Sequence, residues 1–391
     1  MAKVRVALIY GGVSGEHSVS CLTAASVMRA MDPDRYEILP IGIRRDGTWV
    51  PGVGDPDRLE AAGFTGQVAS RDEQVLIELA GEHRALLAPR GRDDGALAAL
   101  GTMDVVFPLL HGPFGEDGTL QGMLEMAGVP YVGCGVFASA AGMDKHYMKV
   151  VLQSAGIDVA PYVLVTPRRW RTERGRILEE IARTLSFPVF VKPARAGSSL
   201  GIVRVDAPEG LEEAVVRAQG TDPKVIVEQG IAGREIECAV LGGHGDDAPR
   251  TSVLGEIVMD SAQWYDYETK YVQTEGFHMA IPARVDEPVA TRIRETAARV
   301  FEAFGCEGMT RVDFFLTEAG EVFVNEHNTT PGFTQFSMYP LLWHGPAVRA
   351  ADRRAHRPGA RAPRRTPIAA NGAGGGPRGG GAAPAEPSPP S

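Results

Sequence analysis

Four polar residues whose side chains could hold a metal ion and phosphate fall in two short neighbouring segments. TRVDFFL carries Arg311 and Asp313, and VFVNEHN carries Glu326 and Asn328. Carboxylate and amide oxygens suit Mg²⁺, which protein sites hold with one or two carboxylates and substrate phosphates. An ordinary solvated hairpin with a salt bridge is the alternative. Together the four residue types favour a metal and phosphate site.

The two segments read as a hairpin with TEAG as its turn. If Leu316 pairs with Glu321, all four polar side chains lie on one face, because side chains alternate along a strand. The opposite face then carries the apolar residues Val312, Phe314 and Phe323. A polar cluster on an otherwise buried hairpin is typical of a binding site.

A second segment, VKPARAGSSLGIVRV, has the composition of a phosphate-binding loop. Lys192 ends a predicted strand, and a loop rich in Gly and Ser follows over residues 195–201. Such a loop lets backbone N–H groups curl around anionic oxygens. Strands are predicted on both sides, so it is not a Walker loop, which opens onto a helix. By itself the loop could be a plain hairpin turn, but Lys192 and the acidic hairpin favour phosphate binding.

Further candidates lie near these two segments. Lys145, at the start of a predicted helix, could reach the same phosphates or be an exposed lysine. In VIVEQGIAGRE, Glu228 and Glu235 could accept hydrogen bonds from an adenine amino group and ribose hydroxyls, or be surface charges.

Composition places these segments in an ordinary globular protein. The 391 residues can form two or three domains, and 44% are hydrophobic and 23% charged. A net charge of −9 argues against nucleic-acid and anionic-membrane partners. The four cysteines have no CxxC spacing, which favours buried thiols in a reducing cytoplasm. No apolar run is long enough for a signal peptide or a membrane span.

The order of elements predicts an α/β protein. A buried strand over residues 4–10 leads through a polar loop to a helix over 19–31, and a strand over 105–110 leads to a helix near 120–126 and a short strand near 129–132. Further helices are predicted over 146–155, 211–218 and 289–304, with strands between them. Residues 344–391 are rich in Gly, Pro, Ala and Arg, and we expect them to be disordered.

Seven segments in order resemble the ATP-grasp family and, within it, the D-alanine–D-alanine ligases. They are YGGVSGEHSVS, LHGPFGEDGTLQGMLEMAGVPYVGCGVFASA, MDKHYMK, VKPARAGSSLG, YDYETKY, GMTRVDFF and NEHNTTPGFTQFSMYP. The resemblance covers residues 3–343. It implies a three-domain ATP-grasp fold: an open α/β domain (preATP-grasp, 1–144), a central ATP-binding α+β domain (145–230) and a C-terminal catalytic α+β domain (231–343), with the tail at 344–391.

The resemblance also implies a reaction. The carboxylate of one D-alanine takes the γ-phosphate of ATP, and the amine of a second D-alanine attacks the acyl phosphate. The product, D-alanyl-D-alanine, is used in peptidoglycan. A closing lid over residues 261–276 is expected, because a free acyl phosphate hydrolyses. ATP, D-alanine and two Mg²⁺ or Mn²⁺ ions are the implied ligands, and a cytoplasmic homodimer is the implied state.

The resemblance assigns roles residue by residue. Glu16 would hold the first ammonium with His111 nearby, while Ser198 and Tyr271 would hydrogen-bond to each other and to Glu16. Arg311 and the Gly332 N–H would form the oxyanion hole. Ser337 and Met338 would bind the second substrate. The residues implied for ATP are Lys145, Lys192, Ser199, Glu228, Gln229, Ile231, Glu235 and Lys270. Those implied for the metals are Asp313, Glu326 and Asn328.

Two alternatives remain open at this point. One is a related ATP-grasp ligase with another second substrate, such as D-serine, although Tyr271 favours an amine over D-lactate. The other is a nucleotide-binding product impaired by its C-terminus. Family members continue past Trp343 with a packed helix, whereas ADRRAHRPGARA here reads like a frameshifted translation. Sequencing the gene around codon 343 tests the frameshift, and loss of the helix predicts a destabilised third domain.

Overall fold

The computed structural model describes residues 2–63, 68–69, 74–77, 85–89, 97–243, 247–259 and 277–343. The predicted lid, with Lys270 and Tyr271, and the tail over 344–391 lie outside the described residues. All four cysteines are buried free thiols, as predicted. Within the described ranges, no helix combines the length and the apolar character needed to cross a bilayer.

The described residues form three main sheets and the helices that pack on them. The strands are β1 (Val4–Gly11), β2 (Tyr36–Ile43), β3 (Trp49–Pro51), β4 (Leu76–Ile77), β5 (Ala85–Pro89), β6 (Leu97–Thr102), β7 (Val105–Pro108), β8 (Tyr162–Val165), β9 (Val189–Pro193), β10 (Val203–Val205), β11 (Val225–Gln229), β12 (Arg234–Leu241), β13 (Arg250–Met259), β14 (Phe277–Ala280), β15 (Met309–Leu316) and β16 (Val322–Asn328). The α-helices are α1 (His17–Ala30), α2 (Pro56–Gly63), α3 (Thr119–Met126), α4 (Val136–Met143), α5 (Lys145–Ser154), α6 (Pro167–Thr184), α7 (Leu211–Gln219), α8 (Glu287–Ala303) and α9 (Met338–Trp343).

The first sheet has the order β3-β2-β1-β7, with β1 parallel to both neighbours. Most of β1 is buried, as expected for a central parallel strand covered on both faces. The loop after β1 leads directly into α1, so residues 12–16 lie at the carboxyl edge of the sheet. The strand predicted near 129–132 is wrong: only Tyr131 bridges to Val106, and Pro130 has no N–H to extend the pairing.

A smaller antiparallel sheet, β4-β5-β6, lies within the same N-terminal part of the chain. The second main sheet has the order β10-β9-β11-β8 and is antiparallel. Helices α6 and α7 pack on it through a core that includes Trp170, Ile177 and Val215. The Gly/Ser loop connects β9 to β10, so the prediction of a strand on each side of it is confirmed.

The third main sheet has the order β14-β13-β12-β15-β16 and is antiparallel. Helix α8 packs on one face together with α4 and α5, in a core that includes Ile293, Phe304 and Phe314. Helix α9 packs on the sheet through Met338 and Leu342, in a cluster that contains Ala239. Helices α4 and α5, which come before the second sheet in sequence, therefore pack against the third sheet.

The predicted hairpin register is wrong by one residue, because Leu316 pairs with Val322 and not with Glu321. A one-residue slip alone would turn Glu326 to the opposite face. The pairing then shifts between Asp313 and Phe314, and a β-bulge leaves Asn325 as an extra residue on β16. The bulge restores the predicted polar face.

The apolar side of the hairpin also differs from the prediction. Phe323 pairs with Phe315 and does not share the face of Val312 and Phe314. Val324 pairs with Phe314 and is buried in that core instead. The exchange follows from the same register shift.

Candidate active site

A cleft between the second and third sheets gathers residues from distant parts of the chain. Its polar lining residues are Lys145, Lys192, Ser199, Glu235, Glu237, Asp313, Asn325 and Glu326. Its apolar lining residues are Ile202, Ile236, Ile257, Phe314 and Phe315. Lysines and carboxylates beside apolar surface are the combination that a phosphorylated aromatic ligand requires. Ile202, Ile257 and Phe315 were not predicted, because the sequence pattern of an apolar residue is the same whether its side chain faces a core or a cleft.

Glu16 and Ser198 meet at the side of this cleft. Glu16 directly precedes α1, and Ser198 lies in the Gly/Ser loop, where its φ of 52° is uncommon for a residue other than glycine. The Ser198 hydroxyl donates a hydrogen bond to Glu16 Oε1, as predicted. Tyr271, the predicted third member of this group, lies outside the described residues. The contact joins the loop after β1 to the loop after β9.

Glycine at position 112 makes room for Glu16. A Cβ at this position would lie 2.6 Å from Glu16 Oε2, and the φ of Gly112 is +73°. Gly197 approaches the same carboxylate, since its Cβ position lies 3.2 Å from Glu16 Oε2. Two loop backbones therefore enclose the carboxylate.

His111 is buried behind Glu16. Its carbonyl oxygen accepts a hydrogen bond of 2.7 Å from Ser14 Oγ, and its Nε2 lies 3.2 Å from Thr23 Oγ1. Burial lowers the pKa of His111, and the negative charge of Glu16 opposes that shift. The imidazole is therefore held mainly in its neutral form, in which one ring nitrogen accepts a proton.

Glu116 is a further carboxyl group at this place that the sequence analysis did not assign. The Gly112 N–H donates to Glu116 Oε2 over 2.6 Å. Burial, followed by the charge of Glu16, raises the pKa of Glu116 well above its ordinary value. Glu116 lies in the same quoted segment as His111, and nothing in the sequence separates this half-buried carboxyl group from a surface acid.

Lys192 and Glu228 form a buried pair on neighbouring strands β9 and β11. Lys192 Nζ lies 2.5 Å from Glu228 Oε1, and Lys149 Nζ lies 2.5 Å from Glu228 Oε2. Burial alone would raise the pKa of Glu228, but the two ammonium groups lower it to about 2. Both carboxylate oxygens of Glu228, the predicted adenine acceptor, thus contact lysines. Lys149 was not predicted, although it lies one helical turn after Lys145.

Lys145 connects the Gly/Ser loop with the acidic hairpin. Its Nζ donates to the carbonyl oxygen of Ala196 over 2.7 Å and lies 3.6 Å from Glu326 Oε1. Asp144 caps the helix by accepting from the N–H groups of His146 and Tyr147. The ammonium of Lys145 is therefore held where the two predicted phosphate and metal segments meet.

Arg311 lies between two carboxylates on the sheet. Its guanidinium contacts both Asp313 oxygens at 2.7 Å, and its Nε lies 2.7 Å from Glu237 Oε2. Burial would lower the pKa of Arg311, but Asp313 and Glu237 raise it well above its ordinary value. Asn328 Nδ2 donates to Asp313 Oδ2 over 3.0 Å. Glu237 was not predicted, because β12 reads as a plain core strand.

The loop before α9 holds Gly332 and Ser337 close together. A Cβ at Gly332 would lie 2.8 Å from Ser337 Oγ, so a side chain at position 332 would displace this hydroxyl. Ser337 Oγ accepts from the Thr334 N–H over 2.9 Å. Met338, predicted to contact substrate, has a buried side chain that packs beside Gly255, so this side chain belongs to the core.

The remaining predicted ATP residues lie at the end of β11 and on β12. Gln229 Oε1 accepts from the Ser186 N–H over 2.9 Å. Ile231 is partly exposed two residues further on, and Glu235 pairs with Phe315 across the sheet. Glu235 lines the cleft directly.

Comparison with known proteins identifies the family. A family model described as D-ala D-ala ligase N-terminus matches residues 5–134, and one described as D-ala D-ala ligase C-terminus matches residues 151–351. A D-alanine--D-alanine ligase from Pseudarthrobacter chlorophenolicus is 51% identical over 345 residues, which cover 87% of this chain and 89% of the relative. One from Paenarthrobacter aurescens is 50% identical over 352 residues, which cover 89% and 92%.

Solved structures agree with this result. The VanG D-Ala:D-Ser ligase from Enterococcus faecalis superposes with a TM-score of 0.75 at 36% identity, over 88% of this chain and 95% of that one. The D-alanine-D-alanine ligase from Coxiella burnetii superposes with a TM-score of 0.72 at 31% identity, over 90% and 92%. The predicted ATP-grasp fold is confirmed. Since family models and close relatives span most of its length, the chain belongs to the D-alanine–D-alanine ligase family.

Proposed function

We propose that the cleft between the second and third sheets is where this chain joins two D-alanines at the expense of ATP. The activity follows from the family: the chain is an ATP-dependent, ADP-forming ligase that makes D-alanyl-D-alanine for peptidoglycan precursors. The contact between Glu16 and Ser198 carries the assignment of the site. It puts a carboxylate suited to a substrate ammonium beside the lysines and acids of the cleft.

We assign the two amino-acid substrates to the side of the cleft where the loops that carry Glu16, His111 and Ser337 lie. Glu16 would hold the ammonium of the first D-alanine, with His111 behind it. Ser337 would receive the carboxylate of the second D-alanine, and its neighbour Met338 would contribute through its backbone. Tyr271 remains part of this proposal as the partner of Ser198.

ATP is assigned to the lysines and the apolar lining. Lys145, Lys192 and Lys270 would contact phosphates, together with the Gly/Ser loop at Ser199. Phosphoryl transfer is mostly positioning and charge neutralisation, and ammonium groups supply both. The residues proposed for the adenine and ribose ends are Glu228, Gln229, Ile231 and Glu235.

Two divalent cations, Mg²⁺ or Mn²⁺, are assigned to Asp313, Glu326 and Asn328. Asp313 and Glu326 are opposite each other on β15 and β16, and oxygen donors of this kind fit a hard cation. In the described part of the chain, no group of three or more His, Cys, Asp or Glu side chains could hold a metal. The ions would therefore need phosphate oxygens as further ligands. When bound, they would neutralise phosphate charge.

The proposed reaction has two chemical steps. A carboxylate oxygen of the first D-alanine attacks the γ-phosphorus, the bond to the β–γ bridging oxygen breaks, and ADP leaves. The amine of the second D-alanine then attacks the acyl carbon, the bond from that carbon to the phosphate oxygen breaks, and the departing phosphate takes the amine's proton. The Arg311 guanidinium and the Gly332 N–H would stabilise the tetrahedral oxyanion until phosphate leaves.

Phosphate release with and without D-alanine tests this function. We expect purified protein to form ADP only when both ATP and D-alanine are present, and Glu16→Gln to lose most of that rate. D-Serine and D-lactate offered as second substrates separate a D-alanine ligase from ligases with another acceptor. ATP turnover that does not depend on D-alanine would contradict the proposal.

The larger organisation is also part of the proposal. The domains would span 1–144, 145–230 and 231–343, each with one main sheet, followed by the tail at 344–391. A cytoplasmic homodimer is proposed from the family alone. Light scattering on the purified chain measures its mass, and a monomeric mass would reject the dimer.

A further inference from the structure

Glu228 lies between two lysines in the interior beside the cleft. Its carboxylate oxygens each lie 2.5 Å from one ammonium, that of Lys192 on β9 and that of Lys149 on α5. The exposed fractions of the side chains are 3% for Glu228, 8% for Lys192 and 1% for Lys149. The three side chains thus form a buried triad with two positive charges and one negative charge.

The two lysines of the triad differ in what they can reach. Lys192 lines the cleft, whereas Lys149 is buried behind Glu228, with its Nζ 5.6 Å from the centre of the Tyr162 ring. Lys149 therefore cannot touch a ligand in the cleft directly. Any effect that it has on a ligand must pass through Glu228.

The charge of the triad decides what Lys192 can do. A carboxylate paired with Lys192 alone would cancel its charge and leave a neutral pair facing the phosphates. A second ammonium on the same carboxylate leaves one net positive charge. In the partly shielded interior, one unit charge several ångströms from a phosphate changes binding by a factor on the order of ten or more.

We propose that Lys149 is a positioning residue for ATP: it is the counter-ion of Glu228 and so leaves the charge of Lys192 available for phosphate. The inference rests on the proposed function, because it assumes that ATP phosphates lie at Lys192. Lys149 also holds Glu228 from the helix side, so the carboxylate cannot turn wholly toward Lys192.

Calorimetric titration of ATP and of adenosine, with MgCl₂ present, tests the proposal. We expect Lys149→Met to raise the dissociation constant of ATP on the order of tenfold and to change that of adenosine little, because adenosine has no phosphate. Because Glu228 is also proposed to contact adenine, the double variant Lys149→Met/Glu228→Gln is compared with Glu228→Gln alone. The two should bind ATP with similar affinity, since an uncharged amide does not cancel the charge of Lys192 and needs no counter-ion. Arg169→Met is the matched control: it breaks a half-buried pair with Glu180 on α6, outside the cleft lining.

The outcomes separate a charge role from a packing role. Equal losses for ATP and adenosine in Lys149→Met, or the same loss of ATP affinity when Lys149→Met is added to Glu228→Gln, would overturn the proposal. If Lys149→Met does not fold, the double variant is still compared with Glu228→Gln alone, and a loss of ATP affinity on the order of tenfold between these two would overturn the proposal. Unchanged protein that fails to bind ATP would instead refute the proposed function.

Discussion

The Glu16 carboxylate accepts a hydrogen bond from the Ser198 hydroxyl across 182 residues of sequence. One residue belongs to the loop after β1 and the other to the loop after β9, so the bond joins the first sheet to the second. Gly112 and Gly197 leave space for the carboxylate between them. Binding of an ammonium at Glu16 is therefore coupled to the position of the Gly/Ser loop.

Removal of the Ser198 hydroxyl should weaken binding of D-alanine. We expect Ser198→Ala to raise KM for D-alanine about tenfold or more, since a hydrogen bond to a charged group contributes about 1.5–3 kcal/mol. ADP formation measured against D-alanine concentration gives the value. Ser154→Ala, on the exposed side of α5, is the control. An unchanged KM for D-alanine in Ser198→Ala would show that the contact has no part in substrate binding.

Neutral replacements on the acidic hairpin should remove metal dependence. We expect Asp313→Asn/Glu326→Gln to slow D-alanine-dependent ADP formation about 100-fold or more, because charge neutralisation by the cations contributes several kcal/mol. Titration with Mg²⁺ after treatment with EDTA measures how much metal each variant requires. Glu318→Gln, in the exposed turn of the same hairpin, should behave as the unchanged protein. A normal rate in the double variant would refute the metal assignment.

Loss of Arg311 should destabilise the third sheet as well as stop catalysis. Arg311→Met leaves Glu237 and Asp313 without their guanidinium, and breaking a buried ion pair costs about 3–5 kcal/mol. Urea unfolding followed by circular dichroism measures the change in free energy. Adding Glu237→Gln should restore part of the stability and none of the activity. Equal stability of the single and double variants would argue against Glu237 as a charge partner.

Acid should weaken the fold through Glu228. Its ordinary pKa of 4.5 falls to about 2 in the fold, because the charges of Lys149 and Lys192 outweigh the effect of burial. A carboxyl group with a lowered pKa stabilises the fold above pH 4.5, and this contribution is lost as the pH falls toward 2. The loss amounts to about 3 kcal/mol in full.

Urea unfolding at pH 5 and pH 3 measures that contribution. The unchanged protein should lose more stability between the two pH values than Glu228→Gln, which has no proton to gain there. Glu212→Gln removes an exposed carboxylate that pairs with Arg174 and serves as the control. Parallel losses in the unchanged protein and in Glu228→Gln would show that the triad does not lower this pKa.

The hairpin shows what pattern reading from the sequence can and cannot predict. Alternation along TRVDFFL and VFVNEHN was enough to put Asp313 and Glu326 on one face, and the structure has them paired. The predicted partner of Leu316 was nevertheless wrong, since no local signal marks the bulge at Asn325. The predicted face was nevertheless correct, because the bulge at Asn325 compensated for the one-residue error in the predicted register.

Charged residues with partners inside the fold were the other feature that could not be predicted from the sequence. Lys149 and Glu116 lie in quoted segments and Glu237 lies on β12, but nothing in their sequence context separates these three residues from surface charges. Each is recognised only from its partners: Glu228, Arg311 and the Gly112 N–H. Lys192 and Glu16, by contrast, stood in segments whose glycines and neighbours already indicated a ligand.

The chain's linear order determined its family, the elements that form its sheets, and most of the polar residues that line the cleft, because these depend on local periodicity and on contiguous motifs. Tertiary packing alone decided which charges are paired, since a carboxylate meets its lysines only after strands and helices far apart in sequence come together. The low dielectric of the folded interior then strengthens these charge pairs. This effect is absent from the unfolded chain, in which the charged groups are surrounded by water.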